Sequence, residues 1–189
     1  EASFGISADE LCQGTATVFT DNSIASNGSM SNWQWSFGDG STESNRNPSK
    51  TYKLPGTYTV LLTVTDAVGC VPAPVSQTVQ VYLQPVIDAG PDIIAKEGTV
   101  MQFKATANST NLQFVWTPGQ VLNNPNILQP SLTVMNDGIY TLTATGEHNC
   151  TATDELKVIV QRPVEAPNVF SPNGDGINDT WMIKNLVLY

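Results

Sequence analysis

The side chains in this sequence that could do chemistry are few, and the densest group of them stands near the C-terminal end. Asn173, Asp175 and Asp179 place oxygen ligands at spaced positions around Gly174 and Gly176. This spacing is similar to the first half of a calcium-binding loop, although the distal glutamate of such loops does not follow it. Two interpretations are open: a calcium site, or a turn whose side chains bond their own backbone.

Catalytic chemistry finds little support in the residue types. A Ser–His–Asp or Cys–His site would have to use His148, the only histidine, which stands in a predicted turn. A single histidine also excludes zinc sites built on several histidines. The carboxylates are scattered over turns and form no obvious pair of the kind that glycosidases use. The sequence therefore predicts that the chain is not an enzyme.

Two other acidic turns are candidate cation sites. Asp39 lies between Gly38 and Gly40, where an aspartate either caps the turn through its own backbone or contributes to a metal site. Asp88 and Asp92 lie near the middle of the chain and could hold a cation at a joint between modules. Neither turn has the ligand spacing of an established metal motif.

Tryptophan side chains offer a second kind of chemistry, the stacking of sugar rings. Trp33, Trp35 and Phe37 alternate along the chain, so all three face one side of a strand. That alternation favours a core over a stacking platform, and Trp116 is interpreted in the same way. The predicted structural core contains Trp35, Phe37, Tyr58, Trp116 and Tyr140.

The elements that carry these residues are predicted to be short strands. Charged residues make up only 13% of the chain and its net charge is −9, and the absence of a basic stripe excludes nucleic acid as a partner. Turn signals separate apolar runs at intervals of about 8–12 residues, which is typical of an all-β Greek-key sandwich. Strands are predicted near residues 15–20, 30–37, 49–52, 56–66, 74–82, 99–107, 113–117, 131–134, 138–145 and 152–161.

The same landmarks occur twice at nearly constant spacing. Trp35 corresponds to Trp116, and the Gly-x-Tyr that ends at Tyr58 corresponds to the one that ends at Tyr140. A period of about 80 residues is one sandwich domain per copy, because solenoid repeats are shorter. The fold class is therefore all-β, with two tandem Ig-like Greek-key sandwiches and the first strands of a third β domain.

The first copy, residues 1–84, resembles the PKD family. The resemblance rests on Trp-x-Phe-Gly-Asp-Gly at 35–40, on Asn-Pro-x-x-x-Tyr at 47–52, and on Gly-x-Tyr-x-Val-x-Leu-x-Val-x-Asp at 56–66. It implies a seven-stranded sandwich of an extracellular protein that acts as a spacer or interaction module. The second copy, 85–163, lacks the Phe-Gly-Asp-Gly turn and is similar to PKD- or Ig-like repeats of large bacterial surface proteins.

The tail, residues 164–189, resembles the opening of the gliding-motility-associated C-terminal domain. The similar stretch runs from Pro167 to Trp181 and includes Ser-Pro-Asn-Gly-Asp-Gly. That domain is the type B sorting signal of the type IX secretion system. The resemblance implies export across the outer membrane, display on or release from the cell surface, and recognition by the translocon and its outer-membrane partner proteins.

The PKD resemblance also implies a disulfide between Cys12 and Cys70. A closed loop of about 58 residues would contribute about 4 kcal/mol in the chain-entropy model. The alternative is a pair of buried thiols. In the second copy the counterpart of Cys12 is Lys96, so Cys150 is expected to be a free thiol.

Three functional interpretations follow. The first is a non-catalytic, adhesin-like stalk and secretion-signal region of a large surface protein, with surface glycans or other adhesion targets as partners. The second is a set of accessory PKD modules of a secreted multidomain hydrolase, and the third is a carbohydrate-binding module. Calcium is the only cofactor that the sequence raises.

Overall fold

Alternating apolar residues make this chain all-β, as the sequence predicts. The computed structural model describes residues 1–26 and 28–163. The strands of the first half are β1 (Phe4–Ile6), β2 (Glu10–Cys12), β3 (Ala16–Asp21), β4 (Met30–Ser36), β5 (Thr42–Glu43), β6 (Ser49–Thr51), β7 (Gly56–Asp66) and β8 (Val75–Tyr82). Those of the second half are β9 (Ile87–Asp88), β10 (Ile93–Lys96), β11 (Val100–Gln102), β12 (Thr106–Ala107), β13 (Gln113–Thr117), β14 (Ser131–Thr133), β15 (Gly138–Thr145) and β16 (Thr151–Gln161).

The chain divides into two compact units. Unit 1 contains Glu1–Val86, Ser109–Leu112 and Thr145–Ala152, and unit 2 contains Ile87–Asn108, Gln113–Ala144 and the described residues 153–163. The domain limits expected from the sequence, 1–84, 85–163 and 164–189, remain predictions. Within the described residues, no helix has the length and apolar character that crossing a bilayer requires.

Unit 1 is a sandwich of two sheets, with strand orders β1-β3-β6 and β2-β8-β7-β4-β5. In β3 every second residue is buried, and in β7 Val60, Leu62 and Val64 follow the same period. Because successive side chains of a strand point to opposite faces, each run buries one face and leaves the other to solvent. The buried faces meet in one apolar core.

Aromatic rings fill the centre of that core around Trp35, which is fully buried. The ring of Phe4 meets the indole edge-on at 5.1 Å, and Phe19 lies at 5.7 Å from it and 5.3 Å from Phe37. Each large ring removes about 150–250 Å² from water, so a few of them dominate the energetics of a small sandwich. These residues are packing residues and not a solvent-facing platform.

The Gly-x-Tyr motif marks the sharp entry into β7. The hydroxyl of Tyr58 donates to Leu54 O at 2.9 Å, four residues back along the chain. Gly56 has φ +152°, a value that side chains rarely allow. The ring of Tyr58 lies 4.2 Å from that of Tyr52, whose hydroxyl donates to Phe37 O at 3.1 Å. The tyrosine therefore holds the preceding corner, as in Ig-like sandwiches.

Unit 2 is built around a second buried indole, that of Trp116. Its largest sheet has the order β10-β16-β15-β13, and the pairs β11-β14 and β12-β9 complete it. Trp116 is buried against Phe103, which also meets the ring of Tyr140 at 5.4 Å. The indole N–H of Trp116 donates to Ile127 O and Leu128 O at 3.2 and 3.3 Å. Each unit thus has its own aromatic core.

The predicted disulfide between Cys12 and Cys70 is wrong: the structure joins Cys12 to Cys150, with a Cα–Cα distance of 5.6 Å. Cys12 pairs with Tyr82, at the end of β8, whereas Cys70 precedes Val75, where β8 begins. Seven residues of strand span about 23 Å, far beyond the roughly 7 Å that a disulfide allows between Cα atoms. The two cysteines therefore lie at opposite ends of β8.

The expectation that Cys150 is a free thiol fails for the same reason. Cys150 is fully buried in its disulfide, and Cys70 is the exposed free cysteine of the described residues. The correspondence between the copies is nevertheless real, because Cys12 and Lys96 both lie on short strands that pair in parallel with the last strand of each copy. The two copies therefore have equivalent positions at Cys12 and Lys96, but this equivalence gives no distance in space between two cysteines.

The disulfide leads to a direct prediction. Peptide mapping without reduction should recover Cys12 joined to Cys150, with Cys70 open to alkylation before unfolding. Cys12→Ser should lower the free energy of unfolding of unit 1 by about 2–4 kcal/mol in chemical denaturation. Cys70→Ser is the matched control and should change it by less than about 0.5 kcal/mol. A Cys12–Cys70 peptide in the map would contradict this pairing.

Candidate functional site: the surface around Trp33

Trp33 lies on β4 beyond the point where the edge strand β5 stops pairing with it. It faces the same side as Trp35, but it is only partly buried and packs against the border of the core. β4 pairs with β7 along its whole length, whereas β5 covers only Trp35 and Ser36. The short β5 therefore leaves Trp33 at an open edge, while Trp35 two residues later is enclosed.

A charged pair lies directly against the Trp33 ring. The guanidinium of Arg46 stands 5.7 Å from the ring centroid, within the range of a cation–π contact, and its Nε is 3.2 Å from Asp21 Oδ2. The Asp21 side chain is fully buried, and the Arg46 side chain is 61% exposed. The indole nitrogen of Trp33 is itself buried and has no hydrogen-bond partner of proper geometry among the described residues.

The environment of Asp21 keeps its carboxylate ionised. Burial alone would raise its pKa, but hydrogen bonds from Ser23 and the nearby donors of Trp33 and Arg46 outweigh burial, so that the pKa of Asp21 is lowered. Asp21 Oδ1 accepts from Ser23 N at 3.0 Å, and the backbone N–H of Asp21 donates to Asn47 Oδ1 at 2.9 Å. The aspartate thus fixes the loop that carries Arg46.

Two shallow depressions flank Trp33. The first has a volume of about 450 Å³ and is lined by Asn32, Trp33, Gln34, Thr42, Glu43 and Ser44. The second, of about 330 Å³, is lined by Ser23, Ile24, Ala25, Gly28, Ser29, Met30, Trp33 and Arg46. Both volumes fall at the small end of the range of ligand sites. The side chains of this surface can bind a ligand through hydrogen bonds and charges. They include no nucleophile that is paired with a general base.

Asp39 has a structural role in the Gly-Asp-Gly turn. Its Oδ1 accepts from Ser41 N at 3.0 Å and from Ser41 Oγ at 2.6 Å, and its Oδ2 lies 2.6 Å from Lys50 Nζ. Lys50 Nζ also stands over the rings of Phe37 and Tyr52. Burial would raise the pKa of Asp39, but Lys50 and Ser41 lower it to about 2. Burial, with the nearby Asp39, raises the pKa of Tyr52.

The remaining predicted site residues lie apart from Trp33. His148 stacks on Tyr82 with ring centroids 3.6 Å apart, and its Nδ1 is 3.5 Å from Glu10 Oε2. Asp88 Oδ1 accepts from Gly90 N, and Asp92 Oδ1 accepts from Lys157 N. In the described part of the chain, no three His, Cys, Asp or Glu side chains are grouped to hold a metal ion. Asn173, Asp175 and Asp179 lie outside the described residues.

Sequence reasoning missed the partners of Trp33. Arg46 and Asp21 are 25 residues apart and belong to no motif, so their pairing follows only from the fold. The one available signal was that Asp21 ends an alternating run in which it takes a core-facing position. A carboxylate at such a position needs a cation or several donors nearby.

With this geometry in view, one comparison with a known family falls within unit 1. Residues 4–81 match the family model of the PKD domain. The chain is 44% identical to Collagenase ColA of Bacillus cereus over 50 residues, which cover 26% of this chain and 5% of that protein. It is 31% identical to the microbial collagenase of Vibrio alginolyticus over 116 residues, 59% of this chain and 14% of the relative. The chain thus spans a small part of each relative.

A solved structure confirms the fold class. The C-terminal fragment of intimin, solved in complex with the intimin-binding domain of its translocated receptor, is similar with a TM-score of 0.52. The match has 15% sequence identity and covers 85% of this chain and 64% of that one. At this identity the likeness concerns the all-β fold alone.

The Asp39–Lys50 pair generates a pH prediction. Because the folded pKa of Asp39 is depressed, its contribution is present above its ordinary pKa of 3.8 and is lost as the pH falls toward about 2. Asp39→Asn should therefore lower the free energy of unfolding by about 1 kcal/mol at pH 6 and by much less at pH 2, measured by urea denaturation. Asp9→Asn, at an exposed aspartate, is the control. An equal loss at both pH values would contradict the role of the charge.

Proposed function

We propose that this chain is a non-catalytic accessory region of a larger secreted hydrolase. The observation that carries the proposal is the PKD match of residues 4–81, together with similarity to two collagenases of which the chain spans only 5% and 14%. The aligned part of each enzyme is a small fraction of its length, as expected for a module beside a catalytic domain. We place the chain outside the cell on the same grounds.

The structure of unit 1 suits such a role. Its rings are packed inside, its acidic turns are engaged by their own loops, and a disulfide is compatible with an oxidising compartment. The proposed organisation is a PKD domain at 1–84, a second PKD- or Ig-like domain at 85–163, and the start of a further domain at 164–189. The domains would hold neighbouring parts of the protein apart and present them to a target. The surface around Trp33 would make the contact with a partner.

The accessory role is tested by separating binding from chemistry. The purified chain should release no peptides from gelatin and no sugars from soluble glycans. Deleting residues 1–163 from the full-length protein should lower turnover of an insoluble protein substrate at least threefold, and turnover of a short soluble peptide by less than twofold. Hydrolysis by the isolated chain, or equal losses on both substrates, would contradict the proposal.

A second candidate function is a surface stalk with a sorting signal, supported by the resemblance of Pro167–Trp181 to the gliding-motility-associated C-terminal domain. In this proposal the protein is adhesin-like, its tail is read by the type IX translocon and outer-membrane partners, and surface glycans are among its targets. Calcium bound by Asn173, Asp175 and Asp179 is part of this second proposal. The two candidate functions are compatible, because an exported hydrolase also needs a sorting signal.

The sorting proposal has its own experiment. A reporter fused to residues 164–189 and the sequence that follows them should leave cells that have a type IX system and stay inside cells that lack it. A reporter fused to residues 1–163 alone is the control and should be retained in both. Retention of the tail fusion in the competent cells would remove the sorting role and leave the accessory role standing.

A further inference from the structure

The backbone of Trp33 presents hydrogen-bonding groups on the side of β4 that no strand covers. Phe37 N donates to Ser41 O at 3.1 Å and Trp35 pairs with Glu43, so the groups of alternate residues in β4 point toward β5. By that alternation the N–H and C=O of Trp33 point the same way, but pairing with β5 has already ended. Among the described residues, no backbone group bonds to them.

The open edge is a consequence of how the core indole is satisfied. The indole N–H of Trp35 donates to Asn45 O at 2.9 Å, and Asn45 Nδ2 donates to Glu43 Oε1 at 3.1 Å. Asn45 is the residue that would face Trp33 if β5 continued in register. Because the Asn45 carbonyl is held by the Trp35 indole, the chain turns away from β4 after Glu43, and β5 ends there. The gap beside Trp33 is therefore built into the folded unit.

The depression of about 450 Å³ lies along this gap. Its lining comes from β4 and from the end of β5, namely Asn32, Trp33, Gln34, Thr42, Glu43 and Ser44. Apart from the tryptophan, every lining side chain is polar. Such a lining suits a polar main chain with alternating side chains better than an apolar helix face.

The charge of the site selects the kind of peptide. Asp21 and Asp39 are neutralised by Arg46 and Lys50, but Glu43 has no cation within ion-pair distance in the described part of the chain. Its carboxylate accepts only from Ser44 N and the Asn45 amide. The depression therefore has one uncompensated negative charge, on a chain of net charge −9. A lysine or arginine of the bound segment would complement it.

We propose that the edge of β4 at Trp33 binds an extended, cationic peptide segment, which adds to the sheet beside β5 as a further strand. Main-chain hydrogen bonds to the N–H and C=O of Trp33 supply the pairing, and Glu43 receives a basic side chain. Glycan stacking fits less well, because Arg46 lies over the Trp33 ring and the ring packs partly on the core. A second copy is disfavoured by like charge. This inference rests on the proposed accessory role, in which the surface around Trp33 makes the contact, and it names the class of segment that this surface binds.

Amide hydrogen exchange on the whole chain tests the pairing directly. The probe is the acetylated and amidated peptide TKVTVKTV, and the comparison peptide is TEVTVETV. Saturating TKVTVKTV should slow exchange of the Trp33 amide at least tenfold. The Gln34 amide, which by the same alternation points toward β7, is the internal control and should change less than twofold. No slowing of the Trp33 amide at millimolar peptide would overturn the proposal.

Three variants separate main-chain pairing from ring contact and charge. Trp33→Val keeps the amide and should bind TKVTVKTV within about threefold of the parent, whereas Trp33→Pro lacks it and should bind at least tenfold more weakly. Glu43→Gln lies on the surface; it should weaken binding of TKVTVKTV about threefold or more, and should not weaken binding of TEVTVETV, because it removes a repulsion from that peptide. Equal loss in Trp33→Val and Trp33→Pro overturns the pairing, as does equal affinity of the parent for the two peptides. Protection of Trp33 that rises with protein concentration alone would assign the edge to a second copy, and would also overturn it.

Discussion

A buried indole N–H must find an acceptor, and this requirement shapes unit 1. Trp35 is the largest fully buried side chain of that core, and an unsatisfied donor there would cost about 1–3 kcal/mol. The acceptor is the carbonyl of Asn45, so the chain has to bend inward at that residue. The bend ends β5 at Glu43 and leaves Trp33 uncovered. One buried hydrogen bond thus determines both the integrity of the core and the position of the open edge.

The same requirement recurs in unit 2 with a different outcome. The indole N–H of Trp116 reaches the carbonyls of Ile127 and Leu128, at the far end of a long connection from β13 to β14. In both units the large aromatic rings lie in the interior.

Long elements were predictable from sequence, whereas several of the shortest were not. β4 and β7 have alternating runs of seven and eleven residues, and their predicted limits agree with the structure to within one residue. β2 and β5 have three and two residues, too few for a period to show, and they are strands only because a neighbour pairs with them. The depression beside Trp33 was invisible for that reason, since it arises from the shortness of β5. The disulfide was missed because the predicted pairing rested on the family resemblance and the free thiol on the correspondence of the copies, and neither gives a distance in space.

The placement of the cysteines also constrains the order of events during folding. Closing a loop from Cys12 to Cys70 costs less free energy, by about 0.8 kcal/mol, than closing one of 138 residues to Cys150. An unfolded chain therefore meets the non-native partner first, and only a formed β8 holds Cys12 and Cys70 apart. With slow oxidation the sheet forms before the disulfide, so that Cys12 pairs with Cys150. With a fast oxidant the disulfide forms first and closes the shorter loop from Cys12 to Cys70. A fragment of residues 1–84 would contain Cys12 and Cys70 but not Cys150, and would therefore favour the non-native Cys12–Cys70 disulfide.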